Sequence, residues 1–416
     1  MKHLSRYVSK SAAPLMAAML LCGALQMSVH AAEGALRAEV GKPLQAARDL
    51  IKAQKYREAL AKVHETDAIS GKTAGETQII ERMRLAAASG AGDLPAATGA
   101  FNNLNTGGKL SAAETQQFTE SLAGSAYRAK DYAKAIQWGQ RYASEGGNSA
   151  SVRNLVTQAQ YLSGDFAGAA KAITANIQAT EKAGGRPSED QLKLLLNASS
   201  HLKDTDQYVY TVEKLLTYYP KKEYWADVLS RLQSKPNFSE RFALDTYRLA
   251  LATGSLRDAN DYVEMAQLAA QAGFPAEGKQ VVDKGYSAGV LGVGADAERH
   301  KRLRDLLAKR SEEEKSARAG LEAQALASAD GNALIKLGYN VALSGDSSKG
   351  LSLMQQGIDK GGPAADAGKL RYGIAQVLSG QTNKAGATFR SVGGKDGAAD
   401  LARLWGVYAR SKSGAA

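Results

Sequence analysis

The chain is poor in the side chains that most site chemistry draws on. Among 416 residues there is one cysteine and there are five histidines. The cysteine, Cys22, lies in an N-terminal stretch that reads as a removable leader. The mature chain would then have no disulfide, no thiolate metal site and no cysteine nucleophile, and its stability would rest on packing alone. Three histidines would remain, His64, His201 and His300, each in a different helical stretch and none at metal-binding spacing from another. Such lone histidines are structural or exposed, which argues against a zinc site or a histidine-dependent triad. Long apolar runs are also missing beyond the leader, so no later segment reads as a membrane span.

The leader itself is legible. Lys2, Arg6 and Lys10 give a positive start, Ala12–Met27 is an apolar run too short for a comfortable span, and Val29-His30-Ala31 offers small residues for cleavage near Ala31. Leu21 stands before Cys22, where lipoprotein processing needs a small residue. A free periplasmic or secreted protein is therefore expected. The formal charge is +11, of which the leader supplies three; segment 32–220 carries +2 and segment 221–416 carries +6. This excess favours anionic partners by long-range attraction. Nucleic acid is not an expected partner outside the cytoplasm.

What the chain does have is repetition. "YRAKDYAKAI" begins at Tyr127 and "YLSGDFAGAA" at Tyr161, 34 residues later, and Asp131 and Asp165 keep the same interval. A period of that size marks a supersecondary unit that must stack on copies of itself. Four residues after the turn stand Ala135 and Ala169. Similar turns place Ala59, Ala97, Gly278, Gly350 and Ala385 at that point. Four residues further come Val63, Phe101, Gly139, Ile173, Val282, Met354 and Phe389, apolar in six cases of seven. Helical spacing precedes each turn, as in Leu337, Gly338 and Val341. Each unit thus reads as helix, short Gly/Asp turn, helix, with a small residue where the two helices cross. A bulky side chain there would cost about 1–3 kcal/mol in strain.

These units resemble tetratricopeptide repeats. Leu337-Gly338…Val341…Gly350…Gly357 and Tyr262…Ala266…Ala269…Gly278…Gly285 follow that pattern best. Gly139, where an aromatic is usual, and Gln160, where an apolar residue is usual, depart from it. The spacing also drifts, with Lys55 to Asp93 and Asp93 to Asp131 each 38 residues. The resemblance covers roughly 40–182 and 258–392, and the chain looks like exported bacterial proteins of this type. It implies an all-α, right-handed superhelical solenoid of antiparallel helix pairs. The expected organisation is a signal peptide (1–31), an N-terminal helical array (32–220), irregular helices with one further pair (221–295), a long charged connecting helix (296–329), and C-terminal pairs with a capping helix (330–416). The long helix, from Asp296 to about Ser328, reads as a solvated connector; Arg299, Lys301, Arg302, Arg304, Lys309 and Arg310 make a basic docking face the alternative.

No motif for a reaction emerges, and no catalytic residue, cofactor or metal is expected. Gly71-Lys72-Thr73 ends like a phosphate-binding loop, but Thr66 stands where its first glycine belongs and a helix precedes it. Gly292, Gly294 and Ala297 have dinucleotide-like spacing, again without a preceding strand. Both read as inter-helix loops.

Stacked pairs imply a concave face lined by the first helix of each pair. By resemblance to the family's groove positions, the candidate contacts are Arg48, Tyr127, Asn154, Gln158, Tyr161, Lys336, Tyr339 and Arg371. A second candidate patch is Tyr218, Tyr219, Lys221, Lys222, Tyr224 and Trp225, with packing between helices as the competing reading. The expected function is a non-enzymatic periplasmic scaffold or assembly factor binding a protein or peptide partner in the cell envelope. The alternatives are a binder of anionic envelope polymer, peptidoglycan or polysaccharide, and a glycan-acting enzyme with an unrecognised carboxylate site.

Overall fold

The computed structural model describes residues 36–413, apart from 107 and 109. The expected leader, with its cleavage point and Cys22, lies outside the described residues. Within them there are twenty α-helices, two short 3-10 turns and no strand. The chain divides between Gly164 and Asp165 into two compact units.

The first unit holds α1 (Ala38–Lys52), α2 (Tyr56–His64), α3 (Ala74–Ala91), α4 (Leu94–Thr106), α5 (Ala112–Arg128), α6 (Tyr132–Ser144) and α7 (Ala150–Leu162). The turns explain why helices stop and restart where they do. At Gly92 and Lys130 the backbone is left-handed, with φ of 79° and 61°, which ends one helix. The next residue, Asp93 or Asp131, then caps the following helix by accepting the N–H of Ala96 (3.0 Å) or Lys134 (3.1 Å). Asp165, Asp204 and Asp346 repeat the device in the second unit.

The small residues occupy the expected places. Ala59, Ala97 and Ala135 are fully buried, as are Val63 and Phe101 one turn on. Gly139, the departure from pattern, has a local cause: a Cβ there would strike Val156 of α7, which takes the space an aromatic would need. Trp138 supplies the ring instead, meeting Phe101 edge-on at 5.2 Å.

The second unit holds α8 (Phe166–Lys182), α9 (Glu189–Leu202), α10 (Thr205–Tyr218), α11 (Lys222–Gln233), α12 (Ala243–Ala252), α13 (Ala259–Ala272) and α14 (Pro275–Ser287). It continues with α15 (Ala297–Ala327), α16 (Asn332–Leu343), α17 (Ser347–Lys360), α18 (Ala365–Leu378), α19 (Thr382–Arg390) and α20 (Ala398–Lys412). Its tightest crossing joins α16 and α17. A Cβ on Gly338 would sit 2.5 Å from the Gly350 carbonyl, and one on Gly357 2.6 Å from that of Gly331. Backbone meets backbone there, which only glycine permits. Ala169 and Ala385 are fully buried too.

The long helix α15 spans 31 residues. Leu307 is buried against Gly278, Arg304 reaches Asp283 at 2.7 Å, and Glu322 pairs with Lys349 at 2.7 Å. Along the helix itself, Glu314 pairs with Arg318 at 2.9 Å and Lys309 reaches Glu313 at 3.9 Å, both four residues apart.

The C-terminal helix does more than cap the last pair. It packs on α19 and α18 and also returns to α10 and α12 near the start of the unit. Fully buried Trp405 meets Phe389 and Tyr408, and Tyr408 stands edge-on to Trp225 at 6.3 Å. Lys235 reaches Asp400 (2.7 Å), Arg241 reaches Asp396 (2.5 Å), and the Ser239 N–H donates to the Asp396 carbonyl (2.9 Å). The second unit therefore closes on itself.

Candidate functional site

In the first unit the first helices of successive pairs, α1, α3, α5 and α7, lie side by side. The row presents half-buried Arg48 on α1, Tyr127 on α5 and Asn154 and Tyr161 on α7, together with exposed Gln158 on α7. The last three recur at i, i+4 and i+7, one face of the helix. Tyr127 Oη donates to Gln158 Oε1 at 2.9 Å, tying neighbouring helices together across that face. Burial, with Tyr132 alongside at 5.8 Å, pushes the Tyr127 phenol pKa up, and burial does the same for Tyr161. Both phenols therefore stay neutral at physiological pH. Arg48 stands on the same row, with α3 between α1 and α5.

The candidates in the second unit fall elsewhere. Tyr339 is fully buried and so cannot line an open face. Its hydroxyl donates to Glu277 at 3.3 Å and its ring packs edge-on to Phe274 at 5.2 Å. Lys336 is exposed, but its ammonium lies over Gly273 at the C-terminal end of α13, where the helix dipole favours a cation. Arg371 donates to Asp245 at 3.2 Å and keeps about a quarter of its side chain in solvent.

These last contacts belong to a buried ionic cluster that sequence reasoning missed. Arg248 on α12 binds Asp245 at 2.5 Å and Glu277 of α14 at 2.6 Å. Its guanidinium also lies 4.9 Å from the Phe274 ring centre and 4.3 Å from that of Tyr339. Two carboxylates and two aromatic faces offset the desolvation of one cation, holding Arg248 well above its ordinary pKa. The available signal was Asp245 and Arg248 three residues apart within the otherwise apolar "ALDTYRLALA".

The aromatic patch around Pro220 is packing rather than an open platform. Tyr218 donates to Glu181 (2.7 Å), Tyr219 to the Pro187 carbonyl (2.9 Å), and Tyr224 to Glu189. Trp225 is buried beneath α20, and Lys221 pairs with Glu189 at 2.7 Å. Lys222, exposed, has no side-chain hydrogen bond or ion pair among the described residues.

The two glycine loops serve the fold. Lys72 donates to the carbonyls of Thr66, Asp67 and Ile69, closing the 3-10 turn after α2, and Thr73 caps α3. Gly292 and Gly294 are left-handed, and the Gly292 N–H donates to His300 Nδ1 at 3.2 Å. His201 stacks on Phe166 at 4.2 Å and His64 faces Asp67 at 3.7 Å. Among the described residues no group of three or more His, Cys, Asp or Glu is placed to hold a metal ion, and no helix is long and apolar enough to cross a membrane.

No family model and no curated protein matches the chain. Solved structures with similar helical arrangements include yeast Tom70, at 10% identity and a TM-score of 0.24, covering 90% of this chain and 96% of that one. Another is the APC/C hetero-tetramer Cut9–Hcn1, at 14% identity and a TM-score of 0.20, covering 88% and 83%. Superpositions this loose say nothing of function.

Proposed function

We propose that this chain is an exported, non-catalytic scaffold that binds a protein or peptide partner of the cell envelope along the row of first helices in its first unit. The observation that supports the reading most is the Tyr127–Gln158 hydrogen bond, which joins two neighbouring first helices and fixes polar side chains of both on one face. Tyrosine and arginine provide contact area and donors together. Amides on α7 add paired donors and acceptors suited to a peptide backbone. Side chains already held by helix packing lose less freedom on binding than a loop would.

Site-specific photocrosslinking in intact cells tests this. A photoreactive residue at Asn154 or Arg48 should give a discrete crosslink to another polypeptide, and one at exposed Glu58 or Lys134 should not. Equal crosslinking from both sets, or capture of glycan in place of polypeptide, contradicts the reading. N-terminal sequencing of the osmotic-shock fraction should begin at Ala32; an intact Met1 in the cytoplasm contradicts export.

A further inference from the structure

The second unit carries a cleft that the repeat pattern does not require. It lies between α9, α10 and α11 on one side and α20 on the other, and its volume is about 480 Å³, within the range of ligand pockets. The floor is apolar, made by Val209, Val212, Val228, Leu232 and Leu404. The rim is ionic. Lys235 and Arg403 share Asp400 at 2.7 and 3.1 Å, and Arg403 also reaches Glu213 at 2.6 Å. Arg231 bonds Asp227 at 2.9 Å and lies over the Tyr208 ring. Asp204 caps α10 through the Gln207 N–H. Lys203 is different: it is exposed on the rim, sits at a left-handed φ of 55°, and has no ion-pair partner among the described residues. The mouth therefore presents a cation open to a new partner beside an apolar floor.

We propose that this cleft is a second binding site, and that it takes a short acidic peptide segment whose apolar side chain enters the floor while a carboxylate meets Lys203. An apolar body and an anionic group together match what the cleft offers; a basic segment would meet Lys203 and Arg231 with like charge. The walls come from α9–α11 on one side and from the last helix of the chain on the other. An occupant thus bridges the seam at which the second unit closes, and its binding raises that unit's resistance to unfolding.

Fluorescence polarisation with the full mature chain tests the proposal. The probe is an acetylated hexapeptide alternating Asp and Leu, compared with a Lys/Leu and an Asp/Ser hexapeptide. The Asp/Leu probe should bind saturably and more weakly as salt rises, with the other two at least about tenfold weaker. Lys203→Glu and Val209→Gln should each weaken it about tenfold with unchanged melting curves, and Lys222→Glu should leave it as it was. Absence of Asp/Leu binding, equal binding of all three peptides, or indifference to both cleft variants overturns the proposal. Each of those results leaves the photocrosslinking at Asn154 and Arg48 unaffected, because that face is built on other helices.

Discussion

Glu76 and Glu189 are two carboxylates that the fold holds firmly in the ionised form. Glu76 accepts from Arg37 at 2.9 and 3.0 Å and from the Thr73 N–H at 2.8 Å, which draws its carboxyl from 4.5 down to about 2. Burial works against ionising Glu189, but Lys221, Tyr224 and Lys193 outweigh it and hold that carboxyl at about 2 as well. Both groups give up a proton more readily folded than unfolded. Their contribution to stability is therefore complete above about pH 4.5 and is lost as pH falls toward about 2. Thermal melts across that window should show the acid limb for the parent chain. Glu189→Gln should be less stable near neutrality and flatter below about pH 4.5, the ordinary carboxyl value. Parallel profiles would mean the pairing with Lys221 and Lys193 contributes nothing to folding.

At the scale of elements, closure of the second unit is the feature with the most reach. Trp405→Ala should cost about 3–5 kcal/mol, as truncation of a buried tryptophan does. Hydrogen exchange should then speed up in α10 and α12 as well as in α18 and α19, because α20 packs on all four. Acceleration confined to α18 and α19 would mean that α20 only caps the last pair. This closure was not legible in the sequence. Lys235 and Asp400 meet across 165 residues, and no local periodicity records such a contact. Tyr339 was misread for a related reason: its place in the repeat matches an open groove, and only the return of α14 and α12 against α16 buries it. Turn chemistry and crossing residues were legible because their causes are local. An aspartate caps the helix it begins, and a small side chain is needed wherever backbones touch. Of the candidate face, the interval from Tyr127 to Tyr161 was legible in the sequence and Asn154 and Gln158 came from resemblance to the family's groove positions, whereas the cleft around Lys203 was not legible, since its walls come from both ends of the unit.

At the scale of the whole chain, two units of different closure are built from one device, a pair of helices held together where a tiny side chain lets them touch. That device turns the first helices of the first unit into a fixed row of side chains, on which the proposed binding depends. The most direct test is a paired set of melts. Ala59→Leu, Ala97→Leu, Ala135→Leu and Gly350→Leu place a leucine at buried crossings; Glu58→Leu, Lys134→Leu and Lys349→Leu place one at exposed neighbours. The crossing variants should each lose about 1–3 kcal/mol, and Gly350→Leu more, since its side chain would meet the Gly338 carbonyl. The exposed variants should stay within about 0.5 kcal/mol of the parent. Equal losses in the two sets would contradict the account.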